Sequence, residues 1–431
     1  MKILVIGGYG REHAITLALS RNPLTELYCI MSKHNPGISK LCNEVLIHSE
    51  TDVDAVISFA KTHNIEYAII GSEVPLAYGI SDALVEVGIK CVGPSKSAAR
   101  IETDKGFCRY IMEKYGIEGN PNYKIVSTPE EGIAYIRSYN GDLAIKPTGL
   151  TGGKGVKVMG EQITQSDAIE YVLSLKNQKI LLEERLFGEE FTLMCFVDGK
   201  TLVAMPLIQD HKRAYNGDKG PNTGGMGAYT LSDHKLPFVT DKDYSIAMNI
   251  MQKTVSALDQ EGCPYKGILY GQFMNTSNGP KLIEFNARFG DPEAMNVLTI
   301  LESDFTTIIE HIVSGTLSSS DVSFKNMATV CKYIVPKDYP DNPHPNDTVF
   351  VGPHDNTTMY YANTIEIDEN TYQTQKSRMI AFVGVGNTLS EAEHVVELAC
   401  KNVNGNIRYR SDIGTESLLN KRIEHMRELR K

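Results

Sequence analysis

Residues 1–92 alternate short apolar runs with amphipathic segments, and this alternation restricts the possible folds more than any other feature of the chain. Runs rich in Val, Ile and Leu are typical of buried strands, whereas the segments between them repeat their apolar residues at helical spacing. The order strand, helix, strand predicts a parallel sheet with helices on both faces. The predicted strands are 2–6, 26–30, 44–47, 67–70 and 90–92, and the predicted helices are 11–20, 53–63 and 76–87.

A glycine-rich turn, Gly7-Gly-Tyr-Gly10, follows the first predicted strand, and the helix after it could hold an anion at its N-terminus. A dinucleotide site of the Rossmann type is the obvious alternative. It fits poorly because Gly8-Tyr-Gly-Arg-Glu-His13 lacks the third glycine of that motif. The second strand also runs into Met31-Ser32, where an acidic ribose ligand would be expected.

The charge balance narrows the classes of ligand. A formal net charge of −10 argues against a nucleic-acid surface, because binding there depends on dense Lys and Arg. Small anionic substrates remain possible if positive side chains cluster locally. The candidate clusters are His211-Lys-Arg213 with Lys219, and Lys146 with Lys154 and Lys157.

Cysteine spacing and apolar run length bear on the cellular environment. The eight cysteines are scattered singly, without a C-x-x-C pair, which predicts neither a zinc site nor a disulfide framework. No apolar run reaches the length of a membrane-spanning helix, and Met1–Gly7 is too short for a signal peptide. We therefore expect a cytoplasmic protein with buried thiols.

Two neighbouring strand-like runs, 267–275 and 281–286, flank a turn-forming segment and predict a β-hairpin. Alternation along the second strand places Glu284, Asn286 and Arg288 on one face. The other face carries Ile283 and Phe285, which we expect in the core.

The register of this hairpin determines which polar side chains meet. If the turn is centred on Asn278, Gln272 lies directly opposite Glu284 on the same face. Gln272, Glu284 and Asn286 would then supply three oxygen ligands, which suit Mg²⁺ better than zinc. The alternative is an ordinary surface hairpin with its polar residues directed outward.

A second glycine-rich loop lies in a small unit that begins near residue 123 and reads strand, helix, strand, loop, strand, helix, strand. Residues 148–155 form this loop, flanked by Lys146 and containing Lys154. Glycines let backbone N–H groups turn toward phosphate oxygens, and the lysines add positive charge. The loop is not a Walker A motif, and a mobile hairpin tip is the alternative interpretation.

The second half of the chain contains a long polar loop and a separate group of short strands. Residues 217–229 are too rich in Gly, Pro, Asn and Thr to build a core, so we expect a functional loop. A long amphipathic helix is predicted for 241–260. Strands at 328–335, 348–351, 359–361 and 379–384, with a helix at 390–402, predict a compact C-terminal domain.

Three long motifs resemble one enzyme family. Glu284-Phe-Asn-Ala-Arg-Phe-Gly-Asp-Pro-Glu293, Gln209-Asp-His-Lys-Arg213 and Gly220-Pro-Asn-Thr-Gly-Gly-Met-Gly-Ala-Tyr229 are similar to motifs of the phosphoribosylamine–glycine ligases, or glycinamide ribonucleotide synthetases, of the ATP-grasp fold. The resemblance covers essentially the whole chain. It implies an α/β protein with an N-terminal Rossmann-like parallel-sheet domain (1–100), an ATP-grasp domain (101–327) with a mobile lid subdomain (123–188), and a small C-terminal α+β domain (328–431).

The resemblance also implies an activity. Members of this family join glycine to 5-phosphoribosylamine at the expense of ATP, through a glycyl phosphate, in the second step of purine synthesis. The implied cofactors are ATP with Mg²⁺ or Mn²⁺, and the implied partners are the two small substrates, with no nucleic acid and no membrane. The expected assembly is a monomer or a weak homodimer.

The site residues follow from matching the family motifs position by position. Tyr9 stands where the family usually has glycine. The expected catalytic residues are Asp210, Lys212 and Arg288, and the expected metal ligands are Gln272, Glu284 and Asn286. The expected ATP-binding residues are Lys105, Lys146, Lys154, Glu183 and Glu190. The expected substrate-binding residues are Gly10, Arg11, Glu12, His13, Arg213, Asn222, Thr223, Gly224, Gly225 and Asp291.

Three other functions stay open at this point. Another ATP-grasp carboxylate–amine ligase would share Lys105, Lys146 and the metal residues, but not the Asp-His-Lys-Arg run or the Pro-Asn-Thr-Gly-Gly-Met-Gly loop. An oxidoreductase would have to bind a dinucleotide. A catalytically inactive nucleotide-binding module is disfavoured because the recognisable ligand positions are all filled.

Overall fold

The computed structural model describes residues 1–150 and 155–431, and its first part confirms the predicted parallel sheet. The elements are β1 (Lys2–Ile6), α1 (Gly10–Leu19), β2 (Glu26–Met31), α2 (Pro36–Leu41), β3 (Glu44–Ile47), α3 (Val53–Thr62), β4 (Tyr67–Ile70), α4 (Glu73–Tyr78), α5 (Ile80–Glu86) and β5 (Lys90–Val92). The strand order is β3-β2-β1-β4-β5, with all neighbours parallel.

Two predicted helices are each interrupted. The helix predicted at 76–87 is α4 followed by α5, because Gly79 adopts a φ of +83° and ends the first helix in the left-handed conformation. The sequence from Lys96 onward also predicts one long helix, and it is α6 (Lys96–Thr103) followed by α7 (Lys105–Lys114). Asp104 separates them, and its side chain accepts a hydrogen bond from the Phe107 N–H to cap α7.

The unit beginning near residue 123 has the predicted order of elements. These are β6 (Tyr123–Val126), α8 (Pro129–Ser138), β7 (Leu143–Pro147), β8 (Lys157–Val158), α9 (Gln165–Ser174) and β9 (Ile180–Glu184). The strands form an antiparallel sheet in the order β6-β9-β7-β8. The unit has an apolar cluster of its own, which includes Ile136, Ile145 and Val172. The glycine loop predicted at 148–155 falls partly on residues outside the described ranges.

The central part of the chain is a second antiparallel sheet with helices packed against it. Its elements are β10 (Glu189–Asp198), β11 (Leu202–Ala204), β12 (Gln209–Asp210), β13 (Arg213–Tyr215), β14 (Lys219–Asn222), β15 (Gly227–Thr230), α10 (Asp241–Gln260), β16 (Lys266–Thr276), β17 (Gly279–Asn286), α11 (Glu293–Ile300) and α12 (Phe305–Ser314). The central sheet has the order β11-β10-β16-β17. Residues 217–229 are not a continuous loop as predicted, because β13 and β14 form a two-stranded ribbon and β15 joins another sheet.

The hairpin of β16 and β17 confirms one prediction and corrects another. Gln272 pairs with Glu284 as predicted, although Thr276 pairs with Gly279 and the turn is one residue tighter than expected. The difference is absorbed at Ile283, which is an extra residue between the pairs Phe273–Leu282 and Gln272–Glu284. The bulge places Leu282, at 0% exposure, in the core and leaves Ile283 half-buried, so the prediction of Ile283 as a core residue is wrong. Phe285 is buried as predicted.

The C-terminal domain contains the predicted strands and several elements that the sequence did not reveal. It comprises β18 (Ala328–Pro336), β19 (Thr348–Val351), β20 (Thr357–Tyr361), β21 (Thr364–Asp368), β22 (Thr371–Thr374), β23 (Ile380–Gly386), α13 (Leu389–Lys401), β24 (Val403–Asn404), β25 (Ile407–Arg408) and α14 (Glu416–Leu429). The largest sheet runs β12-β15-β18-β23-β20 and therefore joins strands from both sides of residue 328. The β21–β22 hairpin and α14 were not predicted.

Two observations complete the description of the fold. All eight cysteines are free thiols, and seven of them are buried. Among the described residues, no helix has both the length and the apolar character needed to cross a membrane.

Candidate active site

The carboxylate of Glu284, near the end of β17, lies among positive side chains. In the described part of the chain it makes no hydrogen bond or ion pair with another side chain, although Lys212, Lys146, Lys105 and Arg288 are all close enough to affect it. Burial alone would raise the pKa of Glu284, but these four cations together lower it below its ordinary value. Glu284 is therefore ionised and available to an external cation.

Asn286 lies two residues after Glu284 at the end of β17, and Arg288 follows just beyond the strand. The Arg288 Nη2 donates to Asn286 Oδ1 at 2.9 Å and lies 3.0 Å from Glu102 Oε1, while its Nε lies 3.4 Å from Glu73. Burial raises the pKa of Glu102 to about 7, although the Arg288 guanidinium opposes this. Arg288 is thus fixed between the hairpin, α6 and the N-terminal domain.

Gln272 lies opposite Glu284, but its amide is oriented differently from the prediction. The Gln272 Nε2 donates to Glu190 Oε2 at 2.8 Å and to Asp210 Oδ1 at 3.2 Å. Its Oε1 accepts hydrogen bonds from the hydroxyls of Tyr270 and Thr192. Because this oxygen is turned into the protein, the predicted set of three convergent oxygen ligands reduces to two, Glu284 and Asn286. No group of three or more His, Cys, Asp or Glu within 1–150 and 155–431 is arranged to hold a metal ion.

Asp210 and Lys212 meet one of the predicted ATP residues beside Gln272. The Lys212 Nζ lies 3.3 Å from Glu190 Oε2 and 3.9 Å from Asp210 Oδ2. Burial raises the pKa of Asp210 to about 7, with Glu293 and Glu190 adding to the effect and Lys212 opposing it. The site therefore contains a carboxyl group that can take up or release a proton near neutral pH.

The predicted nucleotide residues lie where the sheet of β6, β9, β7 and β8 meets the β16–β17 hairpin. Glu183 is 3% exposed and is paired through one oxygen with Arg109 and through the other with Lys146, at 2.5 Å. With both oxygens engaged, Glu183 is a partner of these cations, whereas the resemblance implied that it binds ATP. The Lys105 Nζ donates to the Gly149 carbonyl at 2.9 Å, at the start of the glycine loop. Lys154 lies outside the described residues.

The turn after β1 is held by its own side chains. Glu12 accepts from the Tyr9 N–H at 2.8 Å and from Arg11 Nε at 2.7 Å, and Arg11 Nη1 donates to the Phe289 carbonyl at 3.2 Å. A Cβ at Gly10 would lie only 2.3 Å from the hydroxyl of Tyr333, so this position requires glycine. The turn is thereby fixed against the segment that leads to Asp291.

His13 is placed differently from the other residues of this predicted group. Its ring is buried against Tyr360 and Tyr361, and its Nδ1 accepts the backbone N–H of Tyr361 at 3.0 Å. Burial lowers the pKa of His13 to about 3, so the ring is neutral. His13 therefore attaches α1 to β20 of the C-terminal domain, and its contacts are structural.

Arg378 gathers three of the predicted substrate-binding residues. Its Nη1 donates to the carbonyls of Gly224 and Gly225 at 2.8 and 3.0 Å, and it lies 3.1 Å from Asp291 Oδ1. Tyr333 donates its hydroxyl proton to the same Asp291 oxygen at 2.6 Å, and the Arg378 guanidinium lies over the Tyr333 ring. The loop at 224–225 is thus tied to the segment that follows the β16–β17 hairpin.

The remaining predicted residues belong to the ribbon of β13 and β14. Arg213 donates to the Gly220 carbonyl at 2.7 Å and pairs with Glu161, which lies between β8 and α9, and it lies opposite Asn222 in the ribbon. The Thr223 hydroxyl donates to the Lys212 carbonyl at 2.9 Å. These residues support the segment that carries Lys212 and connect it to the unit that begins near residue 123.

Sequence reasoning missed several residues that shape the site, namely Glu102, Arg109, Tyr270, Glu293 and Arg378. Arg109 was detectable, because it follows Lys105 by four positions in one helix and therefore shares its face. Tyr270 was detectable too, because it precedes Gln272 by two positions in β16 and therefore shares its face, and Glu293 ends the motif that begins at Glu284. Glu102 and Arg378 carry no such signal, since they reach the site from segments that are distant from the hairpin along the chain.

Family models match most of the chain. Residues 1–102 match the N domain of phosphoribosylglycinamide synthetase, residues 103–294 its ATP-grasp (A) domain, and residues 329–416 its C domain. Proteins named phosphoribosylamine–glycine ligase from Methanocorpusculum labreanum and Methanoregula boonei are 66% and 56% identical to this chain. Each match covers 100% of this chain and 100% of the relative.

Solved structures show the same architecture. The phosphoribosylamine–glycine ligase of Thermotoga maritima superposes with a TM-score of 0.81 at 26% identity, covering 96% of this chain and 100% of that one. The biotin carboxylase domain of the 2-oxoglutarate carboxylase from Hydrogenobacter thermophilus, solved with MgADP, has a TM-score of 0.71 at 13% identity, covers 99% of this chain and 93% of that one, and supports the fold alone. These matches confirm the ATP-grasp fold expected from the motifs, and the chain belongs to the phosphoribosylglycinamide synthetase family.

Proposed function

We propose that this protein ligates glycine to 5-phosphoribosylamine, giving glycinamide ribonucleotide, ADP and phosphate through a glycyl phosphate, in the second step of purine synthesis. The observation that carries the proposal is the ionised Glu284 carboxylate, surrounded by four cations and opposite the Asp210–Lys212 pair. The names of the relatives that match the full chain support the same substrates.

The residues present fit a magnesium ion. Glu284 is kept ionised without a partner of its own among the described residues, and Asn286 offers an amide oxygen beside it. Hard oxygen donors of this kind suit Mg²⁺, and Mn²⁺ accepts the same ligands. When bound, such an ion would neutralise negative charge on the ATP phosphates. Lys105, Lys146 and Lys154 would bind the nucleotide, with Glu183 and Arg109 orienting Lys146.

The reaction needs positioned groups and charge compensation rather than a nucleophilic side chain. The glycine carboxylate attacks the γ-phosphorus of ATP and ADP leaves. The amine of phosphoribosylamine then attacks the acyl carbon, so that a C–N bond forms and the C–O bond to phosphate breaks. Asp210, with its pKa near 7, accepts the proton that the amine loses. Lys212 and Arg288 stabilise the negative charge that develops on the transferred groups.

The phosphoribosylamine would lie between the N-terminal turn and the loop at 223–225. Gly10, Arg11 and Glu12 provide one wall, and Thr223, Gly224, Gly225 and Asp291 provide the other. Support comes from Arg378 and Tyr333, whose contacts with Asp291 close this space from the C-terminal side. We further propose that residues 1–100, 101–327 and 328–431 act as domains around this cleft, with 123–188 as its lid.

Phosphate release from ATP tests the assignment. We expect release only when glycine and freshly prepared phosphoribosylamine are both present. Positional exchange of isotopic label within ATP should appear with glycine alone, because the glycyl phosphate forms reversibly. Equal turnover with alanine or glutamate in place of glycine would rule the proposal out.

A further inference from the structure

An ion-pair bridge lies behind the segment that carries Asp210 and Lys212. Arg422 of α14 contacts Glu189 Oε2 at 3.2 Å through Nη1 and pairs with Asp218 through Nη2. Glu189 opens β10, and Asp218 lies in the turn between β13 and β14. We call these three residues the Arg422 bridge. It connects a strand of the central sheet to the ribbon through a helix that begins at residue 416, where the family match ends.

The bridge joins the same two segments as an ion pair in the active site. Glu190 follows Glu189 in β10, and successive residues of a strand point to opposite faces. Lys212 directly precedes the ribbon that contains Asp218. The Glu190–Lys212 pair, at 3.3 Å, therefore spans the two segments on the cleft side, and the Arg422 bridge spans them on the opposite side.

Other contacts from the C-terminal domain fix the ribbon in the same place. Arg410 is fully buried, and its Nη1 lies 2.8 Å from Asp218. Asp412 accepts the Gly217 N–H at 2.8 Å. His425, one turn along α14, lies 2.6 Å from Glu189. The ribbon is thus held from outside the cleft by charged groups, and among these groups Arg422 contacts both the ribbon and β10.

The side chain of His211 lies near the charged groups of the Arg422 bridge. It lies between Asp210 and Lys212, is 2% exposed, and its two ring nitrogens have no hydrogen-bond partner among the described residues. Burial lowers its pKa to about 3, and the nearby Arg410 guanidinium adds to this. The neutral His211 ring therefore adds no positive charge near Asp218 and Glu189. These carboxylates are paired with Arg422, and Asp218 also with Arg410.

We propose that Arg422 is a positioning residue for the ligation, which holds Lys212 against Glu190 by fixing the ribbon relative to β10. The inference rests on the proposed function, because Lys212 is the group that it positions. Arg422 itself does not touch the substrates. Its loss would let the ribbon move while leaving every group in the cleft chemically unchanged.

Steady-state kinetics of Arg422→Met, Arg422→Lys and Arg430→Met provide the test. Arg430 attaches the same helix to Asp243 at 2.8 Å, away from the ribbon, and is the matched control. We expect Arg422→Met to lower kcat roughly ten- to hundred-fold, since small misplacements of catalytic groups have effects of this size. The KM for ATP should stay unchanged, Arg422→Lys should recover most of the activity, and Arg430→Met should resemble the unmodified protein.

A double variant shows whether the effect passes through Lys212. Adding Arg422→Met to Lys212→Met should cause no further loss, because the residue being positioned is already absent. An additive loss would overturn the inference. So would an unchanged kcat in Arg422→Met, or an equal loss in Arg430→Met.

Hydrogen exchange supplies a readout that does not need activity. Amides of residues 210–222 should exchange faster in Arg422→Met than in Arg430→Met. If Arg422→Met does not fold, Glu189→Gln weakens the same bridge from β10, leaves the Arg410–Asp218 pair of the ribbon intact, and should give the same result. Unchanged exchange contradicts the bridge even in an active enzyme, whereas absent ligase activity in the unmodified protein contradicts the proposed function instead.

Discussion

Glu284 carries a negative charge that no single neighbour neutralises. Three of the four cations around it have acids of their own, since Lys146 pairs with Glu183, Lys212 with Glu190, and Arg288 with Glu102, whereas Lys105 donates to the Gly149 carbonyl. The surplus carboxylate is thus left for an external cation. Because the Glu284 carboxylate has no ion-pair partner among the described residues, its removal should lower catalytic activity strongly and change the free energy of unfolding little.

Replacing Glu284 by Gln should reduce kcat by at least two orders of magnitude, because the proposed metal supplies several kcal/mol of charge stabilisation. Since the surrounding cations keep their partners, we expect the free energy of unfolding to change by less than about 1 kcal/mol. Steady-state kinetics at limiting and saturating Mg²⁺ measure the change in kcat, and thermal melting measures the change in stability. Glu118→Gln, the same change at an exposed acid, is the control. Normal activity of Glu284→Gln at limiting Mg²⁺ would contradict the assignment.

His13 should respond to pH through stability. Its pKa is about 3 in the folded protein and about 6.5 when unfolded, so the unfolded chain binds one more proton between these values. Its contribution to stability therefore falls as the pH drops from 6.5 toward 3, by roughly 1.4 kcal/mol per pH unit at most. Asn at position 13 can still accept the Tyr361 N–H but cannot titrate.

The melting temperatures of His13→Asn and the unmodified protein at pH 6.5 and pH 4.5 test this difference. The unmodified protein should lose more stability between the two pH values. The KM for phosphoribosylamine should change little, because the described contacts of His13 are with β20. A large rise in the KM for phosphoribosylamine, with the melting temperatures unchanged, would instead show that His13 binds the substrate.

At the scale of elements, the β16–β17 hairpin shows what a sequence can and cannot reveal. Alternation and the turn residues predicted the pair of Gln272 and Glu284, but the pair forms only because a bulge offsets a shorter turn than expected. The bulge at Ile283 had no local pattern, because it compensates for a two-residue turn several positions away. The orientation of the Gln272 amide was equally hidden, since it depends on Tyr270, Glu190 and Asp210.

The remaining errors have the same origin in long-range contacts. Residues 217–229 look like a loop because their composition suits turns, yet β15 pairs with β18, about a hundred residues later. The helix α14 has little apolar character on its own and is held by charged contacts such as Arg422 with Glu189. The parallel sheet was predictable because each of its strands is a continuous apolar run.

The bulge leads to a test with two adjacent residues. Leu282→Ala should destabilise the protein by roughly 2–5 kcal/mol, because it removes a fully buried side chain. Ile283→Ala should cost clearly less, because Ile283 is half-buried. Denaturation midpoints of the two variants, with unfolding slopes compared, distinguish the cases. A larger loss for Ile283→Ala would show that the strand has no bulge there.

At the scale of the whole molecule, the cleft lies where separate units meet. The unit of residues 123–184, which we propose as the lid, has its own apolar core, and its polar contacts with the rest of the chain include the pairs of Glu183 with Arg109, of Glu184 with Lys281 and of Glu161 with Arg213. A unit with an independent core can move as one body while its polar contacts are remade. The hinges would lie near its two ends, close to residues 123 and 184.

Nucleotide binding should therefore protect the lid from hydrogen exchange. An unreactive ATP analogue with Mg²⁺ would engage the backbone near Gly149 and the flanking Lys146, so amides of residues 143–150 should exchange more slowly. In the free protein, Glu161→Gln should speed exchange across the lid because it weakens the pair with Arg213, whereas Glu170→Gln, an exposed acid on the same unit, should not. Unchanged exchange at residues 143–150, in a sample where binding of the analogue is shown by calorimetry, would mean that the unit does not close over the nucleotide.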